Sequence, residues 1–334
     1  MESGAVTPQK QTYFEATVTD VQKSENKSIA TVEITSGKDK GKQLTVDILP
    51  DGKSNAIPYA EGDSVIILQI EGPTGTTTYI TDYMRTDSLL ILAALFLAVV
   101  VVVGRWHGIL SVISMAYSFV IIGQFVLPNI VRGNDPVFIA ILGGLLISPV
   151  AFYLSHGFNR KTTVALLGTA AALITTGILS VVFVSVAKLT GVTSDEALFV
   201  QQLINTKIDL RSLLLAGMII GLLGVLDDIT VSQAAIVAKL RKTNPSMSFK
   251  ETFYHSMDIG KDHIASLVNT LVMVYAGAAL PLFLLFFNSG LPMAQALSSE
   301  IVATEIVRTL VGSIGLVLSV PLTTLMACFA FKKP

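Results

Sequence analysis

The sequence predicts an α-helical membrane protein that begins with a small β domain, and three observations support this fold class. Of the 334 residues, 51% are hydrophobic and only 14% are charged, whereas soluble domains carry about 25% charged residues. Long apolar segments begin abruptly at Ser88. The segments before Ser88 are short, alternate apolar and polar residues, and are separated by turn signals. We therefore expect two domains, over residues 1–87 and 88–334.

Five strands are predicted in the N-terminal domain. Apolar residues alternate with polar ones, as at Ala30, Val32 and Ile34, and this period indicates half-buried strands. Glycine-rich turns separate the segments, for example at 37–41. Five short strands over about 75 residues are typical of an OB-like barrel, and another small β-barrel or a sandwich is the alternative. The predicted strands cover residues 13–21, 29–35, 43–49, 64–71 and 77–82.

The C-terminal domain is predicted to cross a membrane seven times, because its apolar segments are long enough to span the hydrocarbon core. Pro149 and Pro321 fall inside the third and seventh segments. Each removes a backbone donor and is expected to kink its helix. The predicted spans cover residues 88–104, 108–128, 136–155, 163–187, 211–239, 262–287 and 302–331.

Basic residues predict the orientation of these spans. The connections after spans one, three and five, together with the C-terminus, contain ten Lys and Arg residues, against four after spans two, four and six. The positive-inside rule then places the C-terminus in the cytoplasm and residues 1–87 outside. Either the first span exports the β domain or an anchor helix precedes this sequence. The polar start, MESGAVTPQK, has no apolar run and favours the second explanation.

Composition and motifs exclude several classes of function. Residues 1–87 contain eight Lys and Arg against thirteen Asp and Glu, which argues against nucleic acid as a partner. The four histidines show no paired ligand spacing, and the single Cys328 cannot build a thiolate site, so no metal is predicted. The motifs GxxxxGK[ST] and GxSxG are absent. We expect no catalytic residue and no cofactor.

Two adjacent aspartates, Asp227 and Asp228, are the most informative feature of the chain. No other charge lies between Arg211 and Lys239, and a helix over these residues is about 42 Å long, enough to cross a bilayer. A charge near its middle costs roughly 2.5–3.5 kcal/mol on insertion scales and usually faces a bundle interior or water. Two adjacent carboxylates there are not expected to be ionised together, which suits a proton carrier. The alternative is a structural role, with both carboxylates bonded to neighbouring helices or solvated by a local aqueous dip.

Small residues share the helix face of Asp228, at the spacing of three to four that aligns side chains. Such residues let another helix approach closely, so we expect Asp228 to point into a tight helix–helix contact. These residues are Gly217, Gly221, Gly224 and Ser232.

The sixth predicted span carries polar residues at a similar depth. Asn269 lies ~12 Å past Lys261, and Asp228 lies ~16 Å from Lys239. We therefore expect Asn269 and Thr270 to complete an ion or substrate site with Ser232 and the two aspartates. The alternative is an interhelical hydrogen bond worth under ~1 kcal/mol.

The seventh predicted span opens with Glu305 and Arg308, which are three residues apart and can form an ion pair. We interpret this pair as an outer gate or substrate anchor, and an ordinary interfacial ion pair is the alternative. Gly312 and Gly315 follow on the same span, where they are expected to allow close helix packing.

Several motifs resemble those of the YibE/F-like family of bacterial membrane proteins, over nearly the whole chain. The resemblance implies an extracytoplasmic β domain, a helix bundle and a location in the bacterial plasma membrane, preceded by an anchor helix that this sequence lacks. It aligns Asp228 with a carboxylate of the family and marks Asp227 as a variant, and it implies a permease-like protein without naming a substrate. The motifs are GLLGVLDDITVSQ (221–233), GKDHIASLVNT (260–270), EIVRTLVGSIG (305–315), HGFNRK (156–161) and YITDY (79–83).

The leading functional hypothesis is a secondary transporter or permease for a small solute or ion, coupled to a proton or cation at Asp228 with help from Asp227. The motivating observation is a pair of midplane carboxylates beside glycines. The alternative is a membrane scaffold or assembly protein, whose β domain binds a protein partner and whose polar residues hold a homo- or hetero-oligomer together. In both cases the lipid bilayer is the surrounding partner.

Overall fold

The computed structural model describes residues 10–24, 27–48, 59–72, 75–193, 198–200 and 208–331. The chain forms two compact units that meet in sequence between Val99 and Val100. The first contains a β-barrel and the beginning of the first helix, and the second contains the other helices. Lys207, Lys332 and Lys333, which enter the predicted charge asymmetry, lie outside the described residues.

A closed barrel of five strands forms the N-terminal part of the chain. The strands are β1 (Lys10–Ser24), β2 (Lys27–Ile34), β3 (Gln43–Ile48), β4 (Ser64–Gly72) and β5 (Gly75–Tyr83). β1 pairs antiparallel with both β2 and β4. β3 pairs parallel with β5, which closes the barrel in the order β1-β2-β3-β5-β4. The five predicted strands are confirmed.

Alternate apolar side chains fill the interior of the barrel. Ala30, Val32 and Ile34 of β2 are buried and pack with Val65 and Ile67 of β4. Successive side chains of a strand point to opposite faces, so this alternation places one apolar set inside. Each fully buried valine or isoleucine contributes about 1.5–3 kcal/mol relative to an exposed one.

Helices make up most of the rest of the described chain, and two of them, Pro136–His156 and Glu300–Ala330, continue through their internal prolines. Among the described residues, five helical stretches are long and apolar enough to cross a membrane, and a bent pair adds a sixth if it is counted as one span. The helices are α1 (Thr86–Ile121), a π-helical segment (Ile122–Val126), α2 (Leu127–Val131), α3 (Pro136–His156), α4 (Arg160–Val186), α5 (Leu210–Thr243), α6 (Phe249–Ala278), α7 (Leu280–Asn288), α8 (Met293–Ser298) and α9 (Glu300–Ala330).

The predicted first and second spans are not separated by a loop, so the predicted count of seven differs from this result. They form one stretch, Thr86–Val131, whose backbone leaves the helical region at Arg105 (φ 49°, ψ −132°). A side chain at Gly108 would overlap the carbonyl group of Val100. Eight residues of straight helix would hold these positions about 12 Å apart. The stretch therefore bends sharply at Arg105. Residues 105–107, predicted as a loop between two spans, are part of this bent helical stretch.

The predicted sixth span also has different boundaries. α6 begins at Phe249 because Ser248 and Glu251 form a reciprocal capping box at its N-terminus. It ends at Ala278, just before Pro281, which has no N–H to continue the helical ladder. α7 then continues at an angle of 60° to α6. The Ser-x-x-Glu spacing therefore explains where α6 begins, and Pro281 explains the break between α6 and α7.

Helices α4, α5 and α9 lie at the centre of the bundle. A methyl group at Gly168 of α4 would overlap the side chain of Thr323 of α9, and one at Gly315 of α9 would overlap Thr176 of α4. Small residues thus bring the two helices into close contact, as they do in other membrane bundles. Apolar side chains of α3 pack on α4 and α5, and those of α6 pack on α5 and α9.

Candidate functional site

The two aspartates lie on α5 near the level of the bundle centre. Gly144 of α3 is beside Leu223 of α5, because a methyl group at Gly144 would stand 3.8 Å from Leu223 Cδ2. α3 and α5 run in the same direction, and α3 is 21 residues long. Asp228 therefore lies roughly 5 Å beyond the level of the middle of α3. Its predicted depth in the bundle agrees with this placement.

The face of α5 that carries Asp228 is not covered by any described residue, whereas the sequence predicted a tight helix contact there. Asp228 and Ser232 are exposed. A methyl group at Gly217 or Gly224 would meet nothing within 4 Å, and one at Gly221 would meet only the Tyr275 hydroxyl, at 4.0 Å. The neighbouring helices instead pack on the opposite, larger apolar residues of α5. Small residues mark a face that can be approached closely, but they do not determine that a helix of the same chain occupies it.

Asp227 differs from Asp228 because it turns toward the bundle interior. Its carboxylate oxygen Oδ1 is buried and has no hydrogen-bond partner in the part of the chain that the structure describes. Next to it, Thr230 donates a hydrogen bond to the carbonyl oxygen of Asp227 (3.2 Å) and shares one with the hydroxyl of Thr169 on α4 (2.7 Å). The two carboxylates therefore occupy different environments, one exposed and one partly enclosed.

One imidazole from the α3–α4 turn lies near Asp228. His156, at the C-terminal end of α3, is within electrostatic range of Asp228, Lys161 and His107. The HGFNRK motif contains His156 and Lys161, so this motif could have drawn attention to them in the sequence. Asp228 therefore has a histidine neighbour, His156, that the sequence-based site did not include.

Asn269 and Thr270 lie on the exposed face of α6. The Thr270 hydroxyl donates a hydrogen bond to the carbonyl oxygen of Ser266 in its own helix (2.9 Å). In the described part of the chain, no hydrogen bond connects either residue with Asp227 or Asp228. The structure therefore leaves the predicted shared site of α5 and α6 without a direct polar contact.

Glu305 and Arg308 form the ion pair that their spacing predicts. Arg308 Nη1 donates to Glu305 Oε1 at 2.9 Å, and both side chains are partly buried. Glu305 also lines a cavity of 190 Å³ together with Tyr275 and Thr309. The Tyr275 side chain thus lies between this cavity and Gly221 of α5.

The two glycines of α9 are packed against neighbouring helices. A methyl group at Gly312 would stand 3.0 Å from Leu222 Cδ2 of α5, and one at Gly315 would overlap Thr176 of α4. Both positions therefore lie in close contact with a neighbouring helix. The same role, predicted for Gly217, Gly221 and Gly224, is not observed among the described residues.

A fully buried glutamine connects three helices and was missed in the sequence-based site. Gln233 Nε2 donates to the carbonyl oxygen of Ser256 on α6 (2.9 Å) and to Thr324 Oγ1 on α9 (2.7 Å). Gly260 makes room for the amide, because a methyl group there would stand 3.1 Å from Gln233 Oε1. Gln233 Oε1 and Ser256 Oγ are buried, and no described residue forms a hydrogen bond with either. The sequence signal that could have identified Gln233 is a glutamine inside an otherwise apolar helix.

A second polar connection joins the segment after α4 to the first residue of α9. Oε1 of Glu300, the first residue of α9, accepts hydrogen bonds from Thr190 N (2.6 Å), Thr190 Oγ1 (2.7 Å) and Gly191 N (3.0 Å). A side chain at Gly191 would overlap the backbone at Leu210, where α5 begins. The segment after α4 is therefore held against the first turns of both α5 and α9.

The described residues contain no group of three or more His, Cys, Asp or Glu side chains that could hold a metal ion. Comparison with curated proteins and with solved structures gives no match. The YibE/F-like protein family model matches residues 92–333, which is more than half of the chain. Its span includes both aspartates, the Glu305–Arg308 pair and Gln233. The chain therefore belongs to the YibE/F-like family.

Proposed function

We propose that this protein is a permease of the bacterial plasma membrane that binds a proton or small cation at Asp227 and Asp228. The observation that carries the proposal is the buried Oδ1 of Asp227, which has no hydrogen-bond partner among the described residues and lies directly beside the exposed Asp228. A buried carboxylate oxygen without a partner costs about 1–3 kcal/mol or more. A bound proton or cation offsets that cost, and Asp228 gives it a route to the surface of the helix.

The remaining predicted residues have positions along the proposed path. Ser232 lies one turn beyond Asp228 on the same exposed face of α5. Asn269 and Thr270 offer exposed polar groups on α6, and the Glu305–Arg308 pair guards the other end of the path beside its 190 Å³ cavity. In this proposal α5, α6 and α9 provide the pathway for a small solute or ion.

The proposed orientation places the N-terminal domain outside and the C-terminus in the cytoplasm. It is supported by the excess of basic residues in one set of connections. It requires seven spans, which result if the two arms of Thr86–Val131 on either side of Arg105 are counted separately and α6 with α7 is counted as one.

We also infer that the N-terminal barrel is OB-like. Its support is the number of strands, the closed order β1-β2-β3-β5-β4 and the parallel pairing of β3 with β5. A barrel of this kind outside the membrane offers a surface for a protein partner.

The test of the permease proposal is proton or cation flux into proteoliposomes that contain the full-length chain and a pH-sensitive dye. We expect flux to be abolished in Asp228→Asn and reduced in Asp227→Asn. Asp262→Asn is the matched control, because Asp262 is an exposed acid on α6 outside the site. Wild-type flux in Asp228→Asn that has inserted and purified normally would overturn the proposal.

A second candidate function, an assembly protein, is favoured by the open face of α5. Glycines and a carboxylate share an exposed face of a membrane helix, and such faces are suited to contact with another helix. The test is cross-linking of Gly224→Cys in a Cys328→Ala background. Cross-linked dimers, together with wild-type flux no greater than that of empty liposomes, would favour assembly over transport.

A further inference from the structure

Three fully buried polar side chains meet where α5, α6 and α9 pack together. Gln233 of α5, Ser256 of α6 and Thr324 of α9 have no exposed surface, and we refer to them as the polar layer. The two hydrogen bonds from Gln233 Nε2 hold the three helices together at this level. The layer contains only uncharged groups, and Gln233 is about 9 Å along α5 from Asp227.

The orientation of the Gln233 amide is fixed by the acceptor opposite its nitrogen. The carbonyl oxygen of Ser256 can only accept, so the amide group that faces it at 2.9 Å must be the Nε2 donor. The hydroxyl of Thr324 does not supply a proton to the amide, because it donates to the carbonyl oxygen of Val320 (2.7 Å). Gln233 Oε1 is therefore an acceptor whose donor must come from elsewhere.

Two oxygens of the polar layer, Gln233 Oε1 and Ser256 Oγ, are buried and form no hydrogen bond with any described residue. Buried polar atoms in native proteins are, in the large majority, bonded to the protein or to an ordered water. Ser256 and Gly260 are four residues apart and share one face of α6. That face meets the amide, because Ser256 accepts from Nε2 and a methyl group at Gly260 would stand 3.1 Å from Oε1. Both oxygens therefore lie at the same contact between α5 and α6.

The chemistry of the two oxygens identifies the molecule that would connect them. Oε1 only accepts hydrogen bonds, whereas the hydroxyl of Ser256 can donate one and accept others. A water molecule can donate to Oε1 and accept from the hydroxyl at the same time. A cation would also be attracted by both oxygens, but the groups in contact with the amide are uncharged. A buried ion without a counter-charge is strongly unfavourable, so water is the better match.

We propose that the polar layer is an internal hydration site, in which one water molecule bridges Gln233 Oε1 and Ser256 Oγ. Internal waters typically form about three hydrogen bonds with buried polar groups that otherwise lack partners, and they are costly to remove. The bridge adds a second polar connection between α5 and α6, beside the one from Nε2. This site goes beyond the proposed function, because it requires neither transport nor a charge at Asp228.

X-ray footprinting of the wild-type, full-length chain in oxygen-18 water tests for the bound water directly. Radiolysis converts such a water into a hydroxyl radical, which labels adjacent side chains that bulk solvent does not reach. Val320 is the reporter, because it is fully buried and a methyl group at Gly260 would lie 2.7 Å from its Cγ1 and 3.1 Å from Oε1. Val184 is equally buried in an apolar cluster and is the matched control. We expect several-fold more label at Val320, and equal labelling of the two valines would overturn the proposal.

Variants test whether the two oxygens share one partner. Gln233→Met keeps the length of the side chain without its polar atoms, and Ser256→Ala removes the hydroxyl but keeps the backbone carbonyl. Because the bridge needs both oxygens, the effects of the two changes on the unfolding equilibrium constant should be non-additive by about tenfold. Ser148→Ala is the control, since the buried Ser148 hydroxyl donates to Gly144 in its own helix (2.8 Å) and should be additive with Gln233→Met. Additivity in both pairs would contradict a shared water.

Two further results would reject the hydration site. One is a direct hydrogen bond between Gln233 Oε1 and Ser256 Oγ in a density map that resolves ordered waters. The other is a wild-type melting temperature that rises with Na⁺ or K⁺ at constant ionic strength but does not rise in Gln233→Met, because a cation would then be the occupant. Asp228→Asn should retain the label at Val320 even where flux is lost, so the permease proposal and the hydration site can fail separately.

Discussion

Gln233 shows how one side chain can connect three membrane helices. Its amide nitrogen bonds to α6 and α9 while its backbone belongs to α5, and the residue is fully buried. In an apolar surrounding, such bonds are retained because the alternative is an unpaired polar group. Asp227 differs, because no described residue forms a hydrogen bond with its buried oxygen Oδ1.

Gln233→Ala is expected to destabilise the protein by about 2–4 kcal/mol, because it removes two hydrogen bonds and leaves a cavity. The measurement is the midpoint of unfolding in a detergent titration. Ser232→Ala is the control, since the neighbouring Ser232 is exposed, and it should stay within about 0.5 kcal/mol of the wild type. A Gln233→Ala variant as stable as the control would show that the amide does not join the helices.

Helix α5 illustrates how one element can have two different faces. Its packed face contacts α3, α4, α6 and α9, whereas its glycine face is open. α9 carries glycines too, but these lie against α4 and α5. Similar residues at similar spacing therefore have different consequences, which depend on the neighbour each face meets.

Gly315→Ala and Gly224→Ala form a matched pair that tests these two faces. Gly315→Ala is expected to destabilise the bundle by roughly 1–3 kcal/mol, because the new methyl group overlaps Thr176. Gly224→Ala should be neutral or stabilise α5 by up to about 1 kcal/mol, since alanine favours helix and nothing lies within 4 Å. Thermal unfolding in detergent measures both. Destabilisation by Gly224→Ala would indicate that a partner covers the open face.

The N-terminus of α5 predicts a dependence of stability on pH. Asp209 caps this helix, and the hydrogen bond from the Ser212 hydroxyl (2.6 Å), followed by backbone N–H groups, lowers the pKa of its carboxyl group. A carboxylate with a lowered pKa stabilises the folded state above its ordinary pKa of about 3.9, and that contribution is lost as the pH falls through the lower, folded value.

Asp209→Ala should therefore reduce the melting temperature at pH 6, and the difference from the wild type should shrink as the pH is lowered below about 4. Melting curves of the two proteins at several pH values measure this. The exposed Asp262→Asn serves as the comparison and should show no such convergence. A difference that is constant with pH would mean that the charge of Asp209 does not contribute.

At the scale of the whole molecule, the chain consists of a β-barrel unit and a helical unit. Five helical stretches, or six with the bent pair, have the length and composition of membrane spans. The orientation of the molecule depends on whether the bend at Arg105 separates two spans, because an extra crossing would move the barrel to the other side of the membrane.

Labelling of introduced cysteines decides this orientation. In a Cys328→Ala background, Lys38→Cys in the barrel should react with a membrane-impermeant maleimide on intact spheroplasts. Ser246→Cys, between α5 and α6, should react only after permeabilisation. Both side chains are exposed, so burial does not limit either reaction. Reaction of both cysteines on the same side would contradict the seven-span orientation.

Local patterns predicted much of the fold. Alternation placed all five strands, and apolar length indicated helices that can cross a membrane. Local patterns failed where a boundary depended on one backbone position. Arg105 bends a continuous helical stretch without a proline, and the capping box at Ser248 and Glu251 extends α6 by more than three turns beyond its predicted start. The distribution of apolar and polar residues reveals neither the bend at Arg105 nor the earlier start of α6.

The candidate site, like the fold, was predicted only in part from the sequence. Sequence alone determined that the chain belongs to the YibE/F-like family and has long apolar helices, one of which contains two adjacent carboxylates, because helical period and apolar length are local properties. Only the tertiary structure decided that Asp227 turns inward, that Asp228 and the α5 glycines face outward, and that Gln233 joins three helices. Helical spacing defines which residues share a face, but the neighbour that covers a face is set by packing between distant segments.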